Sequence, residues 1–393
     1  MSDRSFVQER DLRQSFRHQE LRQEDAFYGR TGRSHQQQQQ NRGQTEQVQT
    51  FAGWAIGLSS SVFAEHILSH PCIVLRRQCQ VHHNASWYHL TPFSLFHVIL
   101  NLERTQGLGT LWKGIGSVFL AKGIFMVSET AISEVTPLPK EVSKHSPLKK
   151  HLQHMVLKGL SYMIATPFLA ASLLETVQSD VSSERPGTFD CLMEGVTRVM
   201  GWWSPQTTHL LPVWKLILPT AILGIASYTI TQLAKYTVIS TIKLEEQESR
   251  ANSSPVDGHT VAKKMYENFF TEMLASFTGN LLADMMTYPM ETVVHRLYLQ
   301  GTRTIIDNTD TGMDVIPIST RYDGVVDCFR DIVIKEGFSG LYKGFGAVFL
   351  QYVLHAAILR TAKFLFEKIS NEFGGSRHSP RPHPPTVPKH PNQ

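Results

Sequence analysis

The phrase QGLGTLWKGIGSVFL at residues 106–120 returns at residues 336–350 as EGFSGLYKGFGAVFL. Both copies keep a glycine, then Leu-aromatic-Lys-Gly, then Val-Phe-Leu. A second phrase comes round three times: HPCIVLRRQCQ at 70–80, TPFLAASLLET at 166–176 and YPMETVVHRLYLQ at 288–300, each placing a proline late in an apolar helical stretch. A self-similar period on this scale constrains a fold more than composition does. Each unit reads as a long helix kinked by proline, a short amphipathic helix and a second long helix. Three such units close a pseudo-threefold bundle of six.

The apolar residues are gathered, not spread. Phe51 to Val81, Gly114 to Val135, Met155 to Val177, Leu210 to Ile242, Asn268 to Leu299 and Gly344 to Ile369 are each poor in charge, in a chain that is 41% hydrophobic and 18% charged. Each is about the ~20 residues a bilayer-spanning helix needs. Each also carries polar residues such as Glu65, Lys122, Glu175, Lys235, Asp284 and Gln351, which must face a bundle interior or a watery cavity. A soluble bundle with long buried helices is the alternative that pattern alone leaves open. Gly53 with Gly57 and Ala275 with Gly279 are small-xxx-small pairs suited to close helix approach. Trp54, Trp202, Trp203 and Trp214 suit membrane interfaces.

The flanks differ in kind. Residues 1–50 form a Gln/Arg-rich arm with HQQQQQ and few apolar residues, too little surface to fold alone, and are expected to be disordered. Its eight arginines face seven acids, unlike an acid-poor mitochondrial presequence, so no cleaved targeting segment is expected. Residues 371–393 are rich in proline and are expected to form a disordered tail. Cys72, Cys79, Cys191 and Cys328 have no framework spacing and are expected as free thiols facing helix interiors. Cys79 and His83 are four apart and could share a helix face, but a metal site needs more ligands than these. No phosphate loop, HExxH, GxSxG or dinucleotide turn occurs, so neither enzyme nor cofactor is expected, and no nucleic-acid partner.

PMETVVHRLYLQG followed by EGFSGLYKGFG resembles the signature of the mitochondrial carrier family, solute carrier family 25: Pro-x-[Asp/Glu]-x-x-[Lys/Arg]-x-[Lys/Arg], then Glu-Gly…Leu-Tyr-[Lys/Arg]-Gly. The motif positions are Pro71, Arg76 and Gln80 in the first unit and Pro167 in the second. In the third they are Pro289, Glu291, Arg296, Gln300, Gly337, Tyr342, Lys343 and Gly344. The resemblance covers residues 51–370. It implies the mitochondrial carrier fold, an all-α membrane protein of six transmembrane helices in three pseudo-repeats, at about 51–140, 150–245 and 265–370. HPCIVLRRQCQV, WYHLTPF, ISEVTPLPKEV, SLLETVQS and QGTRTIIDNTD narrow the likeness to an atypical outer-membrane branch tied to mitochondrial shape.

Carriers, as the resemblance implies, close one end of their cavity with a ring of ion pairs. Mapped here, the acidic and basic places hold Ile73 and Arg76, Leu169 and Ser172, and Glu291 and Val294. Arg76 is expected opposite Leu169 and Glu291 opposite Ser172, so neither charge keeps its mate. Helix six has Gln351 where carriers place a base and Leu354 where they place proline. Arg76 and Arg77 then read as simple anchors at the membrane boundary in preference to a cluster attracting anionic headgroups, and Glu291 as an acid at the water boundary of a cavity in preference to a specific polar contact.

Two functions follow. One is a multi-pass adaptor of the outer membrane with a cytosolic N-terminal arm, regulating fission and fusion, cristae organisation and lipid homeostasis. The resemblance links it to membrane lipids, dynamin-like mitochondrial fusion GTPases, the cristae-organising complex and endoplasmic-reticulum contact proteins. The other is an inner-membrane transporter of an unknown solute, its cavity lined by Lys122, Lys235 and Asp284. The lost ring favours the adaptor. The loop at 300–324, with Arg303, Asp307 and Asp310, is longer than the carrier pattern requires and reads equally as a hydrated connector or a partner-docking surface.

Overall fold

The computed structural model describes residues 67–142, 146–181, 187–201, 210–252 and 261–374. Residues 58–255 and 270–365 form one compact unit. The other comprises 1–57, 256–269 and 366–393, and most of it lies outside the described residues. So do the expected N-terminal arm, the start of the first apolar stretch with Gly53, Trp54, Gly57 and Glu65, Trp202 and Trp203, and residues 375–393 of the expected tail, whose first four residues are helical instead.

Helix α1 runs from His70 to Val81 with Pro71 in its first turn. The expected kink falls at Ser69, which bends the chain with helical dihedrals between a helical turn at residues 67–68 and α1, two residues before Pro71. The stretch before residue 67 lies outside the described residues. Helices α4 (Leu148–Val177) and α7 (Val261–Leu299) do carry their prolines, Pro167 and Pro289, in the interior. Helix α3 spans Ile115–Val135 and α6 spans Val213–Asn252, the latter with Pro219 inside. Helix α9 spans Phe345–Gly374.

The short helices are α2 (Pro92–Gln106), α5 (Thr188–Met200) and α8 (Val325–Glu336). In α2 the buried apolar positions are Leu95, Val98 and Leu102; in α8, Cys328 and Ile332 take the places of Val98 and Leu102. The outer faces are apolar too: Phe93 and Phe96 on α2, Val326 and Ile334 on α8, as suits helices lying in a membrane boundary. Each repeated phrase forms a 3-10 turn, Leu108–Trp112 and Phe338–Tyr342, between glycines with positive φ. At Gly344 the φ of 79° and the nearness of Cys79 Cβ, 2.7 Å from where a side chain would begin, both demand glycine.

Among the described residues four segments are long and apolar enough to cross a membrane: Leu108–Val135, Leu148–Val177, Val213–Glu245 and Phe338–Leu365. Helix α7 has the length but carries Glu272, Asp284 and Glu291, and α1 is the described end of the remaining stretch. The result is the carrier arrangement of repeated helix pairs. Helix α4 packs against α3, α5 and α6, and α3 is tied to α4 by the Lys158–Glu129 ion pair at 2.7 Å. Between α6 and α7 the approach is close, because a Cβ on Gly279 would sit 2.8 Å from the Thr231 carbonyl, and Ala275 one turn away is fully buried. All four cysteines are free and buried.

Candidate functional site

The polar residues that the apolar pattern does not explain converge where α1, α4 and α7 finish. In the third unit Arg296, on α7, grips Glu336 with both terminal nitrogens, at 3.1 and 2.8 Å. Lys343 joins the same carboxylate at 2.9 Å and donates to the His82 carbonyl at 3.0 Å, so the third unit's motif fastens onto the end of the first unit's helix. Arg296 also donates to the Gln80 carbonyl at 2.9 Å. Burial alone would raise the Glu336 carboxyl, but bonds from Arg296 and the Lys343 charge hold it below its usual range. Tyr342 stacks on Tyr288, which donates to the Lys343 carbonyl at 2.6 Å.

The first unit has the same arrangement with its carboxylate missing. Gln78 stands in the place of Arg296, Gln106 in that of Glu336, and Lys113 in that of Lys343. One buried lysine thus lacks an acid from its own unit. The loop after α7 supplies it: Asp307 reaches across to Lys113 at 2.7 Å, and accepts from Gln78 at 2.7 Å and Gln106 at 2.9 Å. Asp307 is 1% exposed. Burial opposes its charge, yet Lys113 and bonds from the Gln106 and Ser179 side chains hold its carboxyl below the ordinary range.

That loop is an ordered hairpin, β1 (Ile305–Asp307) paired antiparallel with β2 (Val315–Pro317). Ser179, just past α4, donates its N–H to the Ile305 carbonyl at 2.8 Å, extending the ladder to the second unit. Ile306 is fully buried in one cluster with Val81, Val177 and Leu299, the last residues of α1, α4 and α7. The hairpin therefore sits across all three helix ends. Its tip is held too: Asp310 accepts from the backbone N–H groups of Ser86 and Trp87 at 2.9 and 3.0 Å, and Asn101 donates to the Thr311 carbonyl at 2.7 Å. His82 shares a 2.6 Å bond with the Thr309 hydroxyl.

Asp307 belongs to neither reading of the loop, being buried against Lys113 and closed to water and partner alike. Asp310 is half-buried, its carboxylate held near the surface by the Ser86 and Trp87 amides. Of the three residues singled out there, Arg303 alone is exposed, at a positive φ of 54°. Gln300 closes the hairpin's base by exchanging two bonds with the Tyr322 backbone, at 3.0 and 2.9 Å.

The ring also differs from expectation. Arg76 and Glu291, the two charges left in it, bond each other, and Arg76 reaches Asp284 at 3.3 Å as well. The first unit's base faces the third unit's acid, not the second unit's Leu169. Arg76 is 7% exposed, its guanidinium lies 5.0 Å from the Tyr288 ring, and it is no anchor at the membrane boundary. Glu291 is likewise a specific ion-pair contact, not simply an acid at a water boundary. Arg77 is half-buried and donates to the Thr176 hydroxyl at 3.0 Å. Tyr352 donates to Asp284 at 2.9 Å, and His295 donates to Gln80 Oε1 at 2.7 Å. Around this cluster lies a cavity of about 200 Å³, lined also by Leu169, Thr220 and Tyr298. Asp284 lines it, but Lys122 and Lys235 do not. Among the described residues no group of three or more His, Cys, Asp and Glu is placed to hold a metal ion.

Gln78, Gln106 and Lys113 were not singled out from the sequence. The signal was there, since the aligned phrases put Gln106 opposite Glu336 while keeping the lysine.

Residues 266–373 match the mitochondrial carrier protein family. The chain is 48% identical over 324 residues to mitochondrial outer membrane protein SLC25A46 of Gallus gallus, covering 82% of this chain and 78% of that one. To the protein of the same name in Homo sapiens it is 46% identical over 328 residues, covering 83% and 77%. To solute carrier family 25 member 46-B of Xenopus laevis the figures are 47% over 324 residues, 82% and 77%. With its repeated helix pairs and the third-unit signature in place, this multi-pass, non-enzymatic protein of the mitochondrial outer membrane belongs to the mitochondrial carrier family.

Proposed function

We propose that the chain works as a fixed adaptor of carrier fold in the mitochondrial outer membrane, regulating the balance of fission and fusion, cristae organisation and lipid homeostasis without ordinary solute transport. The observation that carries this reading is Ile306 packed among the ends of α1, α4 and α7 with Asp307 paired to Lys113 beside it. Alternating access needs an element with two arrangements close in energy. Here the end that would open is covered by the chain's own hairpin, and each buried ion pair there costs about 3–5 kcal/mol to break while one partner stays buried. A fixed end suits a scaffold. The partners follow from the resemblance alone: dynamin-like mitochondrial fusion GTPases, the cristae-organising complex and endoplasmic-reticulum contact proteins, met by surfaces other than the buried Asp307, with the N-terminal arm in the cytosol.

The test is uptake by proteoliposomes containing the full-length chain. Nucleotides and carboxylates are expected to enter no faster than into protein-free vesicles. Saturable uptake by the wild-type protein would sink the adaptor reading.

A further inference from the structure

Away from the closed end a second cavity, of about 490 Å³, lies between α4, α6 and α7. It shares no lining residue with the cavity around Arg76, and its size is in the range that ligand pockets occupy. Its walls combine Lys235 and His151 with Glu272, over a floor that includes Met155, Leu233 and Ile239. The depth is informative. His151 lies three residues inside the start of the Leu148–Val177 span, and Ile239 lies six residues before the end of Val213–Glu245. At ~1.5 Å per residue these are about 5 and 9 Å inside the ends of the two apolar spans, the level of phospholipid head groups and the first acyl carbons.

We propose that this pocket seats the head group of a zwitterionic phospholipid entering sideways from the bilayer. Its phosphate lies toward Lys235 and His151, its amine toward Glu272, and the start of an acyl chain runs along Met155, Leu233 and Ile239. Among the described residues its lining holds both a lysine, Lys235, and a carboxylate, Glu272, so an anionic lipid without an amine would leave Glu272 opposed to like charge. Tyr236, also in the lining, adds an aromatic ring that favours an ammonium group. A free phosphate would make no use of the apolar floor. The site needs the outer-membrane setting but not the shut end, so this proposal and the adaptor reading can fail separately.

The experiment exchanges the purified full-length chain with vesicles of equal parts phosphatidylcholine, phosphatidylethanolamine and phosphatidylglycerol, then reads bound lipid by native mass spectrometry. The two zwitterionic lipids should be retained over phosphatidylglycerol by about five-fold, and the Lys235→Gln/Glu272→Gln double variant should lose that preference. Because that variant could also unfold, Ser276→Phe, which fills the pocket without touching its charges, serves beside it. Lost lipid with an unchanged melting temperature is the expected result. Equal retention of phosphatidylglycerol, or full retention in Ser276→Phe, overturns the proposal. So does displacement of the lipid by millimolar inorganic phosphate or phosphocholine, which would make the head group alone the ligand.

Discussion

Gln106 and Asp307 together state the difference between the first and third units. Where the third unit keeps Glu336 beside Lys343, the first has a neutral amide beside Lys113, and the missing charge arrives from a loop 201 residues away. Asp307→Asn should therefore leave Lys113 buried without an acid and destabilise the protein by about 3 kcal/mol, read as thermal unfolding in nanodiscs. Adding Gln106→Glu to that variant should restore most of the loss, by giving the first unit the carboxylate its counterpart has. Failure of the second change to rescue would mean that Asp307 acts through the hairpin's geometry and not through its charge.

A pH dependence belongs to the same scale. Burial lowers the His82 pKa to about 4, against the attraction of Asp310 and Glu336 and with the repulsion of Lys343 and His83. A group whose folded pKa is depressed contributes stability that is full above its unfolded value of 6.5 and is lost as pH falls toward 4. Unfolding at pH 7 and pH 4.5 should differ by up to about 3 kcal/mol from this residue, and His82→Gln should reduce the slope between them. An unchanged slope in that variant would contradict the assignment.

At the scale of elements, the hairpin and the kinked helices behave differently toward the sequence. The third unit was legible because its signature, its glycines and its amphipathic helix all survive: Gly337, Tyr342, Lys343 and Gly344 hold the geometry their pattern implies. The hairpin was not, because three-residue strands carry no readable period, and Asp307 looks polar until its lysine is seen. The ring failed for another reason. Order along the chain does not say which helix faces which, so Arg76 was set against Leu169 although Glu291 lies beside it. The amides of Ser179, Asn308, Gly312 and Ile318 all bond within or onto the hairpin region. Their hydrogen exchange should be as slow as that of the helix cores, and at least about tenfold faster in Asp307→Asn. Exchange on the timescale of an open loop would remove the hairpin from the account. Pro289→Ala, by contrast, should regain one helical bond but straighten α7 against neighbours shaped to its curve. Lower protein abundance is expected, with partner binding reduced in proportion. Normal abundance with total loss of function would make the kink itself a site.

For the whole molecule, the contacts at the closed end act as one lock. The Arg76–Glu291 pair joins α1 to α7, the Asp307–Lys113 pair joins the hairpin to the first unit, and the Ser179–Ile305 bond joins it to the second. Opening would have to break all three, and no alternative acid stands in the ring places of the first or second unit, which hold Ile73 and Leu169. The measurement that bears on this most directly is electron–electron distance spectroscopy of full-length protein in nanodiscs. One spin label goes on a cysteine at Met313 on the hairpin and one at Val181 beyond α4, both well exposed at 63% and 65%, while the native cysteines are buried. The account predicts a single narrow distance distribution, unchanged by candidate solutes and broadened in Asp307→Asn. Two populations in the wild-type protein, with a balance that shifts when a solute is added, would show an end that opens and would contradict it.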